Sequence, residues 1–375
     1  MKTTTRLTEL REQMNDVTQK IVDLFQERQN ISEEIGKEKE KNNLAILDLN
    51  RENEVIENVL KDVSDANKMT TTILVRELLA LSRLKQSSNL ELSRGNDLPK
   101  SEPIPEGPVA FQGVPGAWGE QAAGKLFPDR EVIECEYFED VFAKIKNGEA
   151  ACGVVPIENS RTGAIGEVYD LLRKNSCYIV GQMWVKIRQS LLGVPGTTLH
   201  DVREILSHRE ALNQCGRFLK KYNWDLFEVS NTAVAAKTVT ERGEKRVAAI
   251  GSRRAAELYG LEVLEDNISD DLNNRTRFIV IAAKPCYDEN STMMSVTFST
   301  QHRSGALAAV LEPIGLYNIN LSRIESRPVS PGSYRFFADI ETSPFANGLD
   351  EAIATAASQA EYFEILGCYD TKEEE

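Results

Sequence analysis

The apolar residues Leu7, Leu10, Met14, Val17, Ile21, Leu24, Ile31 and Ile35 step through the first stretch of the chain by threes and fours, with Arg28 filling the one gap. That spacing is the seam of an α-helix. Across residues 5–41, at about 1.5 Å per residue, the helix is on the order of 50 Å long. A helix of that length cannot bury its seam against itself, so it needs partner helices or a second chain. Two shorter helical patterns follow, near 48–63 and 71–92. Residues 1–98 hold no proline and one aromatic, Phe25, while every tryptophan and tyrosine lies beyond, so the chain fuses unlike parts. Gly95, Pro99, Pro103, Pro105, Gly107 and Pro108 mark the linker between them, because both residue types interrupt regular structure.

The helical third carries polar groups in core register. Arg28 and Lys39 continue the seam of the first helix. Asp48 and Glu52 share a face with Val55, Val59 and Val63, and Ser82 and Gln86 continue the every-fourth series begun by Leu74 and Leu78. One polar seam residue is commonly a register device. Six of mixed type must pair among themselves or meet a charged ligand, because buried charge is costly unless compensated. A pocket of cations facing carboxylates, an amide and a hydroxyl suits a small dianion bearing hydroxyls.

From Val109 the texture becomes α/β. Short apolar strands (Val109–Phe111, Gly153–Val155, Val247–Ile250, Phe278–Ile281) alternate with helical stretches (119–127, 138–147, 209–221, 231–242, 252–259), which predicts a largely parallel sheet flanked by helices. After Lys284-Pro285, residues 291–370 read strand, helix, strand, strand, helix, strand, the ferredoxin-like order.

Composition excludes several classes. A net charge of −14 argues against a nucleic-acid surface. No apolar run reaches the roughly 18 residues of a membrane helix, and the charged start lacks the apolar stretch of a secretory signal. Six scattered cysteines and three histidines form no metal framework, so reduced thiols in the cytoplasm and no metal are expected.

Three segments of the middle region place polar groups beside strands, where α/β clefts bind ligands. These are Pro156-Ile157-Glu158-Asn159-Ser160, Ser207-His208-Arg209-Glu210-Ala211 with Gln214, and Asn273-Asn274-Arg275-Thr276-Arg277-Phe278. The loop Gly113-Val114-Pro115-Gly116-Ala117-Trp118-Gly119 joins a strand to a helix and could offer backbone N–H groups to an anion. It lacks the dinucleotide spacing, so a small carboxylate fits it better. Ser207–His208 has no nucleophile-elbow context, and adjacent residues on an extended segment point apart, which disfavours a hydrolase triad.

Three family resemblances attach to these residues. Arg11, Arg28, Gly36-Lys37-x-Lys39, Asp48-x-x-Arg51-Glu52, Ser82 and Gln86 resemble the pocket of all-helical chorismate mutases. That resemblance implies an intertwined dimer, with Arg11 supplied by the partner chain. Arg11, Arg28 and Arg51 would grip carboxylates, Lys39 and Gln86 would donate to the breaking ether oxygen, and Asp48, Glu52 and Ser82 would orient the ring hydroxyl. The rearrangement of chorismate to prephenate needs no nucleophile, only a held conformer and charge stabilisation.

The blocks from Val109 to about Lys284, including Glu120-Gln121-Ala122-Ala123 and Asn231-Thr232-Ala233, resemble prephenate dehydratase. That family has two α/β lobes like a periplasmic binding protein and converts prephenate to phenylpyruvate with loss of water and carbon dioxide. By this resemblance Thr276 assists the departing hydroxyl and Arg277 offers charge to a carboxylate. Glu158, Asn159, Ser160, Ser207, His208, Gln214, Asn274 and Phe278 complete the pocket. The opening loop here lacks the family's usual serine, and Arg209-Glu210 replace a Pro-Gln pair.

Ser304-Gly305-Ala306-Leu307 and Glu325-Ser326-Arg327-Pro328 resemble the ACT regulatory domain of these dehydratases. It implies an allosteric phenylalanine site made by Gly305, Ala306, Leu307, Asn320, Leu321, Ser322, Glu325, Ser326, Arg327 and Pro328 between paired domains.

The expected organisation is a helical mutase domain (1–92), a linker (93–108), a dehydratase (109–286) and an ACT domain (291–371). The expected protein is a bifunctional, cytoplasmic, phenylalanine-inhibited homodimer or higher homo-oligomer without a cofactor. Two rivals are a non-catalytic sensor built from the same modules, and an enzyme with only its dehydratase alive. The polar set on the three helices argues against both, because neither has a use for it.

Overall fold

In a computed structural model the described residues are 2–42, 44, 48–87, 98 and 100–373. They form two compact units. One is the helical N-terminal third together with Gly305–Pro313 and Asp350–Glu361, and the other is the rest of the described chain. The units thus cut across the expected third domain, two of whose segments join the N-terminal helices.

In the first unit, α1 (Lys2–Lys41) and α2 (Leu49–Leu60) both pack on α3 (Lys68–Ser87). The Asp48 carboxylate accepts the Arg51 N–H at 3.1 Å and caps α2, so it ends the helix rather than joining its buried stripe. The face of α1 against α3 is the polar one. Ser32 and Gly36 are buried there, and a Cβ added to Gly36 would lie 2.8 Å from the Gln86 carbonyl oxygen, so only glycine permits this approach. The apolar seam is left uncovered: Leu10 is 45% exposed, Met14 66% and Leu24 65%.

The second unit opens with a lobe built from β1 (Val109–Gln112), α4 (Trp118–Leu126), β2 (Val132–Cys135), α5 (Phe138–Lys146), β3 (Cys152–Asn159), β4 (Gly163–Ala164), α6 (Gly166–Lys174) and β5 (Tyr178–Lys186). The chain then crosses into a second lobe of β6 (Ser190–Gly193), β7 (Glu204–Ser207), α7 (Arg209–Gln214), α8 (Gly216–Leu219), β8 (Asp225–Glu228), α9 (Thr232–Arg242), β9 (Val247–Gly251), α10 (Arg253–Tyr259) and β10 (Glu262–Glu265). It returns as β11 (Arg275–Ala282), which inserts between β3 and β5. The second sheet runs β10-β6-β9-β7-β8. The expected parallel sheet is therefore two mixed sheets. β1, β2 and β3 are parallel, as are β7, β8 and β9, but β11 is antiparallel to both neighbours because it re-enters from the other lobe. The helix expected over 209–221 breaks at Cys215 into α7 and α8.

The C-terminal elements are β12 (Met293–Ser299), α11 (Ala306–Leu316), β13 (Asn320–Ser330), β14 (Ser333–Glu341), α12 (Leu349–Gln359) and β15 (Tyr362–Tyr369). Their antiparallel strand order β13-β14-β12-β15 is the ferredoxin-like one. A last strand, β16 (Thr371–Glu373), adds to the first sheet beside β5. Where β15 meets β5, Gly367 has φ +152° and a Cβ there would stand 2.0 Å from the Ile179 carbonyl oxygen, so no side chain fits. One apolar core runs from Phe142, Tyr169 and Ile279 of the first lobe to Phe337, Leu366 and Tyr369, with Tyr169 edge-on to Phe337 at 4.8 Å. All six cysteines are unpaired, and burial pushes the Cys152 and Cys177 thiols up to about 11.

Candidate active sites

The i, i+4 stripe Arg28–Ser32–Gly36 lies along α3. Arg28 Nη1 donates to the Leu78 carbonyl at 2.6 Å and to Ser82 Oγ, and Ser32 Oγ donates to Ser82 Oγ at 2.9 Å. The partners of Arg28 are thus neutral, and burial holds its guanidinium below the ordinary arginine range. A half-buried cation with neutral partners is a receptor for an anion. Gln86 is buried one turn past Ser82, and its Oε1 has no hydrogen-bond partner. Lys39 is half-buried three residues beyond Gly36. Glu52 accepts from Arg83 Nη1, whose Nη2 donates to Gln359 Oε1 at 3.0 Å. Arg28, Ser82, Gln86 and Glu52 therefore sit on the packed faces of these helices. Arg11, Asp48 and Arg51 are exposed, and Arg51 pairs with Glu54 at 2.7 Å. Sequence reasoning missed Ser32 and Arg83, although the four-residue spacing Arg28–Ser32–Gly36 was a signal for the first.

Between the two α/β lobes is a cleft of about 360 Å³. Its polar lining includes Asn159, Thr162, Gln189, His208, Gln214, Asn231 and Thr276, and its apolar walls include Phe138, Ile165, Ile187 and Phe278. At its floor, Thr276 and Asn159 are cross-strand partners on β11 and β3. Asn159 Oδ1 accepts the backbone N–H groups of Arg161 at 3.0 Å and Thr162 at 3.2 Å, which fixes the orientation of the amide. Asn159 Nδ2 therefore faces Thr276 and donates to its Oγ1 at 2.9 Å. With Oγ1 accepting, the threonine proton is free to be donated into the cleft.

Three helix starts reach this cleft, through Ala117–Gly119 for α4, His208 for α7 and Asn231 for α9. The α4 N-cap is Ala117, which has no side-chain cap, so its first N–H groups are left for a ligand. His208 Nδ1 accepts the Glu210 N–H at 3.2 Å, which leaves Nε2 to carry the proton of the neutral ring. Gln189, which reaches toward Gln214 at 3.5 Å, lies in the crossing between lobes, and no sequence pattern singled it out.

Five expected residues lie elsewhere. Strand alternation turns Glu158 and Arg277 to the side opposite Asn159 and Thr276. Glu158 pairs with Arg323 at 2.8 Å, and Arg277 with Asp339 at 2.6 Å. Arg277 is thus committed to a carboxylate of its own chain instead of facing the cleft. Ser207 is fully buried and donates to the Ile250 carbonyl at 2.7 Å, a structural bond. Ser160 accepts the Arg275 N–H at 3.1 Å and supports the corner between β3 and β11. Asn274 is buried behind Asn159, accepting from its amide at 2.9 Å.

In the C-terminal module Gly305 adopts φ +77° just before α11, where Ala306 is buried and Leu307 half-buried. β13 alternates. Leu321, Glu325 and Arg327 are half-buried, while Asn320, Ser322, Ser326 and Pro328 are exposed. Arg327 Nη2 lies 3.8 Å from Asp170, Asn320 donates to Glu341 at 2.9 Å, and Ser322 donates to the Asp339 carbonyl at 3.1 Å.

The helical unit has a pocket built around a neutral-partnered arginine, and the second unit has a two-lobed cleft of amides and hydroxyls, two separate candidate sites in the manner of a two-site enzyme. Residues 10–87 match the family model of chorismate mutase type II, and residues 109–286 match that of prephenate dehydratase. The chain is 31% identical over 373 residues to the bifunctional chorismate mutase/prephenate dehydratase of Escherichia coli (strain K12), an alignment covering 96% of this chain and 95% of that one. It is also 38% identical over 279 residues to arogenate dehydratase/prephenate dehydratase 1 of Arabidopsis thaliana, covering 70% and 71%. Among solved structures, prephenate dehydratase from Arthrobacter aurescens in complex with L-Phe superposes with a TM-score of 0.65 at 28% identity, covering 70% of this chain and 89% of that one. The chain belongs to the family of bifunctional chorismate mutase/prephenate dehydratases and has both enzyme domains.

Proposed function

We propose that chorismate is rearranged among α1, α2 and α3, and that the resulting prephenate is dehydrated and decarboxylated in the inter-lobe cleft, under feedback by phenylalanine. The observation that carries the dehydratase reading is the Asn159–Thr276 pair, whose fixed amide leaves one hydroxyl proton to offer. In the cleft the ring C–OH bond breaks and the oxygen leaves as water, taking a proton supplied by solvent. The ring C–carboxylate bond breaks, carbon dioxide departs, and that electron pair completes the aromatic ring. Thr276 donates a hydrogen bond to the departing oxygen, because a threonine hydroxyl is too weak an acid to give up its proton without a relay. The uncapped N–H groups of α4 receive a carboxylate, and His208 Nε2 is a further donor.

In the helical pocket Arg28 takes a carboxylate, Lys39 and Gln86 serve the ether oxygen, and Ser82 and Glu52 hold the hydroxyl side. Arg11 and Arg51, exposed in the single chain, complete the pocket in an intertwined dimer. The uncovered apolar seam of α1 supports that assembly, since such a stripe is stable only when another helix covers it. The βαββαβ module, with its ferredoxin-like strand order, is the phenylalanine-responsive ACT domain. We place the enzyme in the cytoplasm; among the described residues no helix is long and apolar enough to cross a membrane.

The test supplies purified protein with chorismate and follows prephenate and phenylpyruvate with and without phenylalanine. Arg28→Ala should remove the first step and spare the second, and Thr276→Ala should do the reverse. Joint loss of both activities in either soluble, folded variant refutes the two-site reading. Dehydratase kinetics unmoved by saturating phenylalanine refute the regulatory one.

A further inference from the structure

Four charged residues pair with one another on the side of β3 and β11 away from the cleft, and one of them, Arg323, also lies 3.8 Å from Glu325. Glu158 and Arg277 are cross-strand partners in the first sheet, and Arg323 and Asp339 are cross-strand partners in the C-terminal sheet. Each acid–base pair exchanges partners with the other. Arg277 meets Asp339 at 2.6 Å, and Glu158 meets Arg323 at 2.8 Å. Arg277 and Asp339 are almost wholly buried, with side chains 5% and 8% exposed.

The set is held on both sides. Asp339 Oδ1 accepts from Ser295 Oγ at 2.5 Å, and Ser295 Oγ is 2.6 Å from the buried Tyr369 hydroxyl. Arg323 donates to the Tyr169 hydroxyl and stacks over its ring, 5.2 Å from the centroid. The neighbours of this set along the chain are decisive. Arg277 follows Thr276, and Glu158 precedes Asn159, so the two residues at the cleft floor alternate with the two gripped from behind. Arg277 and Asp339 make each other's burial tolerable, so removing the Asp339 charge leaves a buried arginine without its carboxylate, whereas Arg323 keeps Glu325 when Glu158 is neutralised.

We infer that Arg277 and Glu158 are positioning residues. Held by Asp339 and Arg323 of the C-terminal sheet, they fix the register and tilt of β11 and β3, and so the Asn159–Thr276 geometry on the opposite face. The inference rests on the reading of Asn159 and Thr276 as the reacting site. It makes the C-terminal sheet a structural part of the dehydratase, reaching the chemistry through two backbones rather than through a ligand.

The test is a double-mutant cycle on the full-length protein between Asp339→Asn and Thr276→Val, with Glu158→Gln against Thr276→Val as a second cycle at a less buried pair. Asp339→Asn keeps the shape and removes the charge. It should lower the dehydratase kcat about tenfold or more, leave the prephenate KM within about threefold, and leave chorismate turnover unchanged. In the Thr276→Val background the same change should cost less than about twofold, because a residue acting through Thr276 has nothing left to act on. Unchanged kcat in Asp339→Asn, or losses that multiply in the double variant, overturn the inference. If Asp339→Asn does not fold, the Glu158→Gln cycle decides by the same two criteria. Full dehydratase activity in Thr276→Val sinks the site reading instead, a result separate from either of the others.

Discussion

Replacing Thr276 with valine isolates one hydroxyl. Valine keeps the β-branched shape that suits β11, so the backbone and the packing beside Phe278 are preserved. The structural cost can be read from the bonds of Asn159. Its amide has two protons and three acceptors, Asn274 Oδ1 at 2.9 Å, Thr276 Oγ1 at 2.9 Å and the Arg275 carbonyl at 3.2 Å. Two acceptors remain after the substitution, so no donor is orphaned. The stability loss should be about 1 kcal/mol, or about 2–4 °C for a domain of this size. The chemical cost is larger. Removing one preorganised donor to a departing oxygen is worth about 10²–10³ in kcat, or ~2.7–4 kcal/mol. Initial rates of phenylpyruvate formation across a range of prephenate concentrations give kcat and KM, chorismate consumption serves as an internal control, and thermal unfolding reports stability. The expected pattern is a kcat lower by about 10²–10³, KM within about threefold, and an intact mutase. A kcat within about threefold of the parent would refute the assignment. A large fall in melting temperature accompanied by loss of both activities would reassign the residue to structure.

Arg28→Lys should lower chorismate turnover by about 10²-fold or more while leaving prephenate turnover intact, because an ammonium cannot keep the Leu78 and Ser82 bonds and still present a fork to a carboxylate; equal turnover by both forms would refute the role. Gly36→Ala drives a methyl against the Gln86 backbone. It should cost about 1–3 kcal/mol in the helical unit and impair the mutase selectively, measurable by thermal unfolding and chorismate kinetics. Leu10→Glu combined with Val17→Glu places charge on the uncovered seam; sedimentation should show the assembly falling to single chains, with the mutase lost and the dehydratase retained. An unchanged sedimentation coefficient would mean that the seam is not the interface.

The three helices were legible because their period is long and their interruptions few, and the cleft was legible because strand, loop and helix alternate with clear punctuation. What period could not give was which face of α1 packs inside its own chain. The apolar seam looked like the core side, yet the stripe of Arg28, Ser32 and Gly36 faces α3. A hydrophobic stripe says only that something must cover it. The close approach at Gly36 selects the polar face for α3 and leaves the seam for another partner. Asp48 was placed on a buried face by the same periodic reasoning, but a carboxylate at a helix start finds unbonded N–H groups nearer to hand.

The middle region shows the converse, a pattern that was available and outweighed. Thr276, Arg277 and Phe278 are consecutive on one strand, and consecutive strand residues face opposite sides. If Thr276 and Phe278 line the cleft, Arg277 cannot, whatever charge a substrate carboxylate invites. The same parity separates Asn159 from Glu158. That parity leaves the start of α4 as the helix start without a side-chain cap at this cleft, since His208 and Asn231 cap α7 and α9. It also explains why an arginine beside the floor residue is buried on the far side, where only a carboxylate from a distant part of the chain could make its burial tolerable. The partner is Asp339, in a sheet that the sequence separates from β11 by a proline break, and no local pattern could have named it.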